Sequence, residues 1–177
     1  MIEVAQKYKE AGFSCLPTLK DKSPAVSAWK GVEIAPVLFT AYGIGIKCGA
    51  ASGNLECMDF DNHFGDAKDV ISEFMKIEGV RDIYEKHHLP IESTMNGGFH
   101  LLYRCETVEG NKKLAMRPRT VDGKVKPDVL IETRGEGGYF VAAPTPGYTV
   151  IKNNILNVPY ITVSERGVLL WAASYFK

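Results

Sequence analysis

The sequence predicts an α+β domain with a largely antiparallel sheet, and three observations carry that expectation. Several short stretches alternate apolar and other residues with a period of two, the pattern of a half-buried strand. Three longer stretches, at the start, middle and end, space their apolar residues for a helix. The strands fall in runs between those helices instead of alternating with them one by one. A chain of 177 residues, 45% hydrophobic and 24% charged, suits one soluble domain or two small lobes sharing a core.

Residues 2–11 read as a helix, with Val4, Tyr8 and Ala11 on one face and Gly12 in the stop position. Phe13 to Leu19 reads as a strand, followed by the polar turn Lys20-Asp21-Lys22-Ser23-Pro24. Gly43 to Gly49 alternates and ends in a Gly/Ser loop, and Leu55 to Asp61 is the next strand. Asp66 to about His88 has helical spacing, interrupted near Gly79. Asp66 is its expected N-cap, and Val70, Ile71, Phe74 and Met75 form its buried side. Ile91 to Thr94 is short and extended, Asn96-Gly97-Gly98 is a tight turn, and Phe99 to Arg104 is a strand. Residues 106–126 read as a polar loop. Val129 to Thr133 and Tyr139 to Ala143 are strands, and Ser164 and Glu165 open a last helix carrying Val168, Leu169, Trp171 and Ala172.

The net charge is zero, so any basic surface must be local. Cys15, Cys48, Cys57 and Cys105 are widely spaced, without the pairs a zinc site needs, which suits reduced thiols in a cytosolic protein. No stretch suits a membrane span or a signal peptide.

Asp59-Phe60-Asp61 carries the most chemistry. Residues two apart on a strand share a face, so both carboxylates point one way while Phe60 points into a core. Two adjacent anions take up a proton or share a cation, and oxygen-only ligands suit Mg²⁺ or Mn²⁺. Surface solvation is the ordinary alternative. His100 follows Gly97-Gly98 at a strand start, where a backbone can approach a ligand closely. A lone strand His is more often structural, but beside a carboxylate pair it suits a phosphate contact. Glu132 ends a strand just before Thr133-Arg134-Gly135, and Asp128 competes with it as a third acid. Between residues 104 and 126, Arg104, Lys112, Lys113, Arg117, Arg119, Lys124 and Lys126 outnumber Glu106, Glu109 and Asp122, so this stretch suits either a solvated loop or a phosphate backbone. Gly43, Gly45 and Gly49 are one residue too widely spaced for a dinucleotide fingerprint, and Lys22-Ser23 lacks the glycines of a Walker loop. His87-His88 read as helix C-terminal residues favourable to the dipole.

Taken in order, these pieces resemble a known family. They run from Gly12-Phe13 and Pro17 through Lys22-Ser23-Pro24, Trp29, Gly43-Ile44-Gly45-Ile46 and Met58-Asp59-Phe60-Asp61. Gly97-Gly98-Phe99-His100-Leu101-Leu102-Tyr103 and Ile131-Glu132-Thr133-Arg134-Gly135-Glu136-Gly137-Gly138-Tyr139 follow. From about residue 10 to 145 the chain resembles the bifunctional primase-polymerase domain of the archaeo-eukaryotic primase superfamily, found in phage, plasmid and other mobile-element replication proteins. The resemblance implies an RNA-recognition-motif-like sheet beside a second small α/β unit. It implies metal ligation by Asp59, Asp61 and Glu132, with Glu132 standing where Asp is common. It also implies contact of His100 with the nucleotide phosphates. Gly98 stands where the superfamily often has Ser, so a hydroxyl contact there is missing or comes from elsewhere.

The expected activity is two-metal nucleotidyl transfer with Mg²⁺ or Mn²⁺ and without zinc, making and extending primers on single-stranded DNA from NTP or dNTP. Arg134, with Lys22 as the weaker candidate, is expected to meet phosphate or template. Lys112, Lys113, Arg117 and Arg119 are the candidate nucleic-acid contacts, and Tyr139 and Tyr103 both compete for the place beside the sugar. Residues 1–177 form one catalytic domain, either a whole protein or the N-terminal part of a primase-helicase, with a replicative helicase in cis or trans. The expected setting is cytoplasmic and prokaryotic, phage or plasmid. A metal-dependent nuclease and a non-catalytic nucleic-acid-binding module are the competing readings.

Overall fold

The computed structural model describes residues 1–177, and its strands pair antiparallel in two sheets. Strands β1 (Cys15–Thr18), β2 (Gly43–Lys47) and β8 (Tyr139–Ala142) form the smaller sheet, in the order β1-β2-β8. The larger sheet takes β3 (Leu55–Phe60), β4 (Ile91–Ser93), β5 (Phe99–Arg104), β6 (Lys112–Val121), β7 (Lys124–Arg134) and β9 (Thr149–Lys152). Its order is β6-β7-β3-β5-β4-β9, which puts β3 and Asp59 in the interior. Helices α1 (Ile2–Glu10), α2 (Ala67–Lys76), α3 (Glu78–His87) and α4 (Val163–Ala173) complete the α+β fold. None is long and apolar enough to cross a membrane.

Alternation along β3 builds three layers. Met58 and Phe60 meet Val70, Phe74, Val80, Ile83 and Leu169 of α2, α3 and α4 in one core. Leu55 and Cys57 face the other way, toward Ile44, Ile46 and Phe140 of the small sheet and Tyr8 and Phe13 near the N-terminus. Phe60 and Phe74 are fully buried and pack edge to face at 5.2 Å. Burying such a side chain stabilises the fold by about 1.5–3 kcal/mol. Asp59 shares the Leu55 side of β3 and opens onto the rim where β8 forms the facing wall.

Several expectations need correction. The interruption expected near Gly79 falls two residues earlier, where Ile77, extended at φ −62° and ψ 122°, separates α2 from α3. Asp66 does not cap α2 with its side chain. Asn62 accepts the Ala67 N–H at 3.0 Å, and Asp66 pairs with Arg117 instead. The last helix starts one residue earlier than expected, capped by Thr162. The loop expected at 106–126 is mostly β-structure: it holds β6 and the start of β7, joined at Asp122-Gly123. Both turn residues have positive φ, 51° and 73°, as a two-residue hairpin turn of the favoured twist requires. Strand β9 is an element that the residue pattern alone does not predict.

Thr162 and Glu165 form a reciprocal capping box on α4, and Glu165 also meets His87, at the end of α3, at 2.8 Å. Burial opposes the Glu165 charge, but the Thr162 backbone, His87 and the Thr162 hydroxyl outweigh it, and its pKa falls to about 2. A depressed carboxylate stabilises above its unfolded pKa and loses that contribution as pH falls through the folded one. Glu165→Gln, which retains capping geometry, is expected to lower Tm most at neutral pH. The difference from wild type should shrink between about pH 4.5 and 2. Thermal melts across that window check it; a constant difference would show that the charge is irrelevant.

Candidate active site

Four polar side chains line up across four strands. Asp59 on β3 is in register with Glu132 on β7 and with His100 on β5, and His100 is in register with Glu92 on β4. Directly opposed residues of adjacent strands share a face, so the row reads Glu132, Asp59, His100, Glu92. Asp61 lies two residues past Asp59, just beyond the end of β3. Asp59, Asp61 and Glu132 each bring a carboxylate oxygen within 4.8 Å of the others. Asp128 is held elsewhere, by Arg119 at 2.7 Å and His63 at 3.1 Å, so Glu132 is the third acid of the cluster.

These carboxylates are poorly compensated. Burial, the Asp59 charge and then Glu132 push Asp61 up to about 6, against the opposing pull of His63 and Arg134. Burial, joined by Asp59, also raises Glu132, although Arg134 pairs with it and Lys113 stands opposite on β6. Three mutually repelling carboxylates, Glu132 buried and Asp59 and Asp61 half-buried, with oxygen donors only, fit a hard divalent cation such as Mg²⁺ or Mn²⁺.

His100 is buried, with Nδ1 2.7 Å from Glu92 and Nε2 3.6 Å from Asp59. Glu92 is 1% exposed, and its second oxygen accepts the Ala143 N–H at 2.9 Å. Burial alone would lower the imidazole pKa. The Asp59 charge and the Glu92 hydrogen bond more than offset it, so His100 is raised. Phe140, 5.1 Å away edge to face, and Tyr148 enclose the ring.

A cavity of ≈ 360 Å³ opens over the row. Asp59, Asp61, His100 and Arg134 line it, as do Lys22, Trp29 and Tyr139. Arg134 pairs with Glu132 and lies 3.9 Å from Asp59. The Tyr139 hydroxyl donates to the Lys22 carbonyl at 2.8 Å, and its ring meets Trp29 edge to face at 5.0 Å. Tyr103 is on the opposite face, fully buried and bonded to Glu56, so of the two candidate tyrosines only Tyr139 reaches the cavity. A Cβ on Gly98 would come within 2.4 Å of the Phe60 carbonyl, which explains the glycine. The hydroxyl nearest that turn is Thr94, which accepts the Gly98 N–H at 3.0 Å and lines the cavity.

The basic candidates are spread along β6. Lys112 pairs with Glu109, Arg117 with Asp66 and Arg119 with Asp128, while Lys113 faces Glu132. Sequence reasoning missed Glu92, Asn62, His63 and Tyr148, and gave Trp29 no role. The isolated acid in the apolar stretch Leu89-Pro90-Ile91-Glu92 was the one available sign of a buried carboxylate.

The family model described as bifunctional DNA primase/polymerase, N-terminal, matches residues 5–161. No curated protein matches the sequence. A match over most of the chain, spanning both sheets and every member of the polar row, makes this protein a member of the bifunctional DNA primase/polymerase N-terminal domain family, a nucleotidyltransferase type of enzyme that works on nucleic acid with nucleotides.

Proposed function

We propose that this chain makes and extends primers on a single-stranded DNA template, joining NTP or dNTP by two-metal nucleotidyl transfer. The observation that carries the reading is the row Glu132–Asp59–His100–Glu92 with Asp61 at its rim, of which Asp59, Asp61 and His100 line one cavity. Asp59, Asp61 and Glu132 would hold two Mg²⁺ or Mn²⁺ ions, which when bound acidify the primer 3′-hydroxyl and neutralise charge on the triphosphate. Attack of the 3′-oxygen on the α-phosphorus forms the new P–O bond and expels pyrophosphate. The residues around the acids position and stabilise. His100, held by Glu92, presents Nε2–H to a phosphate oxygen, and Arg134 offers a guanidinium beside it. Lys22 is the weaker phosphate contact. The larger sheet, with helices behind it and the polar row in front, serves as the RNA-recognition-motif-like platform. The test is incorporation of radiolabelled ribo- and deoxynucleotides on single-stranded DNA with Mg²⁺ or Mn²⁺. No product under any combination removes the reading, and shortening of a labelled strand in its place would mark a nuclease.

Trp29 and Tyr139 form the aromatic wall of the cavity and suit the base and sugar of the incoming nucleotide. Stacking on one aromatic side chain is worth about 1–3 kcal/mol. Trp29→Ala is therefore expected to raise nucleotide KM roughly tenfold with a smaller change in kcat, and Trp29→Phe to recover most of it. Steady-state incorporation kinetics check this, and an unchanged KM removes Trp29 from the nucleotide site.

A further inference from the structure

Strands β6 and β7 run on past the sheet. β7 pairs with β3 only from Ile131 to Arg134, so residues 116–129 form a two-stranded ribbon without a third strand. Its register sets Arg117 opposite Asp128, Arg119 opposite Lys126 and Val121 opposite Lys124. Opposed residues share a face, as do residues two apart. One face of the ribbon therefore carries Arg117, Arg119, Lys124 and Lys126 against a single carboxylate, Asp128. This is a concentrated positive face on a chain of zero net charge.

The base of the ribbon is fastened beside the active site. Arg117 donates to Asp66 at 2.8 Å and lies over the Phe64 ring, and Asp128 meets His63 at 3.1 Å. His63, Phe64 and Asp66 belong to the segment that leaves Asp59-Phe60-Asp61, and His63 is 3.9 Å from Asp61. Arg119 bonds Asp128 at 2.7 Å. Both arginines thus hold the ribbon in place, while Lys124 and Lys126, nearer the tip, are exposed and pair with no carboxylate. Pro118 stands opposite Pro127 on the other face. Without N–H donors there, the ribbon is a poor edge for another β-strand. Charge, not strand addition, is what it offers a partner.

We propose that this face clamps the phosphate backbone of the nucleic-acid strand running through the active site, with Lys124 and Lys126 as the phosphate contacts. Arg117 and Arg119 are positioning residues that aim the ribbon. The inference rests on the polymerase reading above and adds a contact surface beyond the cavity. Phosphate contacts carry no sequence information and weaken with salt, so the clamp is sequence-independent.

The test is fluorescence anisotropy of the full chain with a dye-labelled single-stranded DNA across a salt series. Lys124→Gln/Lys126→Gln is compared with wild type and with Lys124→Arg/Lys126→Arg. Two lost phosphate contacts on a single strand reduce the slope of log K against log salt by about 1.4, which is about 25-fold in affinity at 0.1 M salt. The arginine pair should restore both, and an unchanged Tm shows that the fold is intact. Equal slopes for wild type and the glutamine pair overturn the clamp, whether or not the wild type extends primers. Conversely, a reduced slope in a protein that incorporates no nucleotide keeps the clamp and removes the polymerase reading.

Discussion

Asp59→Asn is expected to lower nucleotide incorporation by at least about 1,000-fold, ~4 kcal/mol of transition-state stabilisation, without unfolding the protein. Asp59 is the junction of the site. It stands in register between Glu132 and His100, within 4.8 Å of the other two acids, and 3.9 Å from Arg134. Removing its charge withdraws the residue on which both the acid cluster and the phosphate-binding side depend. The fold should respond differently. Asp59 is part of what pushes Asp61 up to about 6 and Glu132 upward, so the charge is a source of repulsion in the ion-free protein. Asparagine is nearly isosteric, so Tm without divalent ions should hold or rise even as turnover disappears, a trade expected where a site stores like charge. Added Mg²⁺ or Mn²⁺ should stabilise the wild type and do so far less for the variant. Full turnover in Asp59→Asn would remove the acid cluster from the reaction, and a collapse in Tm would mark Asp59 as structural.

The parts of the site visible in the sequence are those that local periodicity reports. Asp59 and Asp61 share a side because they are two apart and the pairing runs one residue past the end of β3, where the Asp61 N–H donates to the Leu130 carbonyl at 3.0 Å; Phe60 between them is buried as alternation requires. Gly97-Gly98 ahead of His100 announced a turn, and Gly98 proves to be where a backbone carbonyl leaves no room for a Cβ. Contacts made across strands were hidden. Glu92 sits in a strand of three residues, too short to show a period, and its importance comes from pairing with His100 in register. The β6–β7 ribbon was obscured by its charges and by Pro118 and Pro127, which weigh against a strand. Asp122-Gly123, between Thr120-Val121 and Lys124-Val125, was nevertheless a direct hairpin signal. Local spacing makes Asp66 look like a cap because it cannot show that Arg117 claims it from β6.

Glu92 carries the second large expectation. It touches neither the acid cluster nor open solvent. It grips His100 Nδ1 at 2.7 Å with one oxygen and the Ala143 N–H at 2.9 Å with the other. Through these bonds it joins β5 of the large sheet to the end of β8 in the small one, and it directs His100 Nε2 toward the cavity. Glu92→Ala leaves a buried imidazole and a buried backbone N–H unpaired, a loss of about 3–5 kcal/mol, and should lower Tm sharply. Glu92→Gln separates structure from chemistry. Its amide oxygen still serves one of the two donors, so the fold should survive with a smaller drop in Tm. The charge that favours a protonated His100 is gone, and the amide no longer offers two equivalent acceptors. Partners that orient a metal-bound histidine are typically worth about 10–100-fold, and Glu92 orients His100 by the same kind of bond. Glu92→Gln is therefore expected to lose about 10–100-fold in kcat, with KM for primer–template little changed because no template contact is lost. Calorimetric melts alongside steady-state incorporation decide it. A Glu92→Gln enzyme with wild-type kcat would reduce Glu92 to a tie between the two sheets and leave His100 oriented by Phe140 and Tyr148 alone.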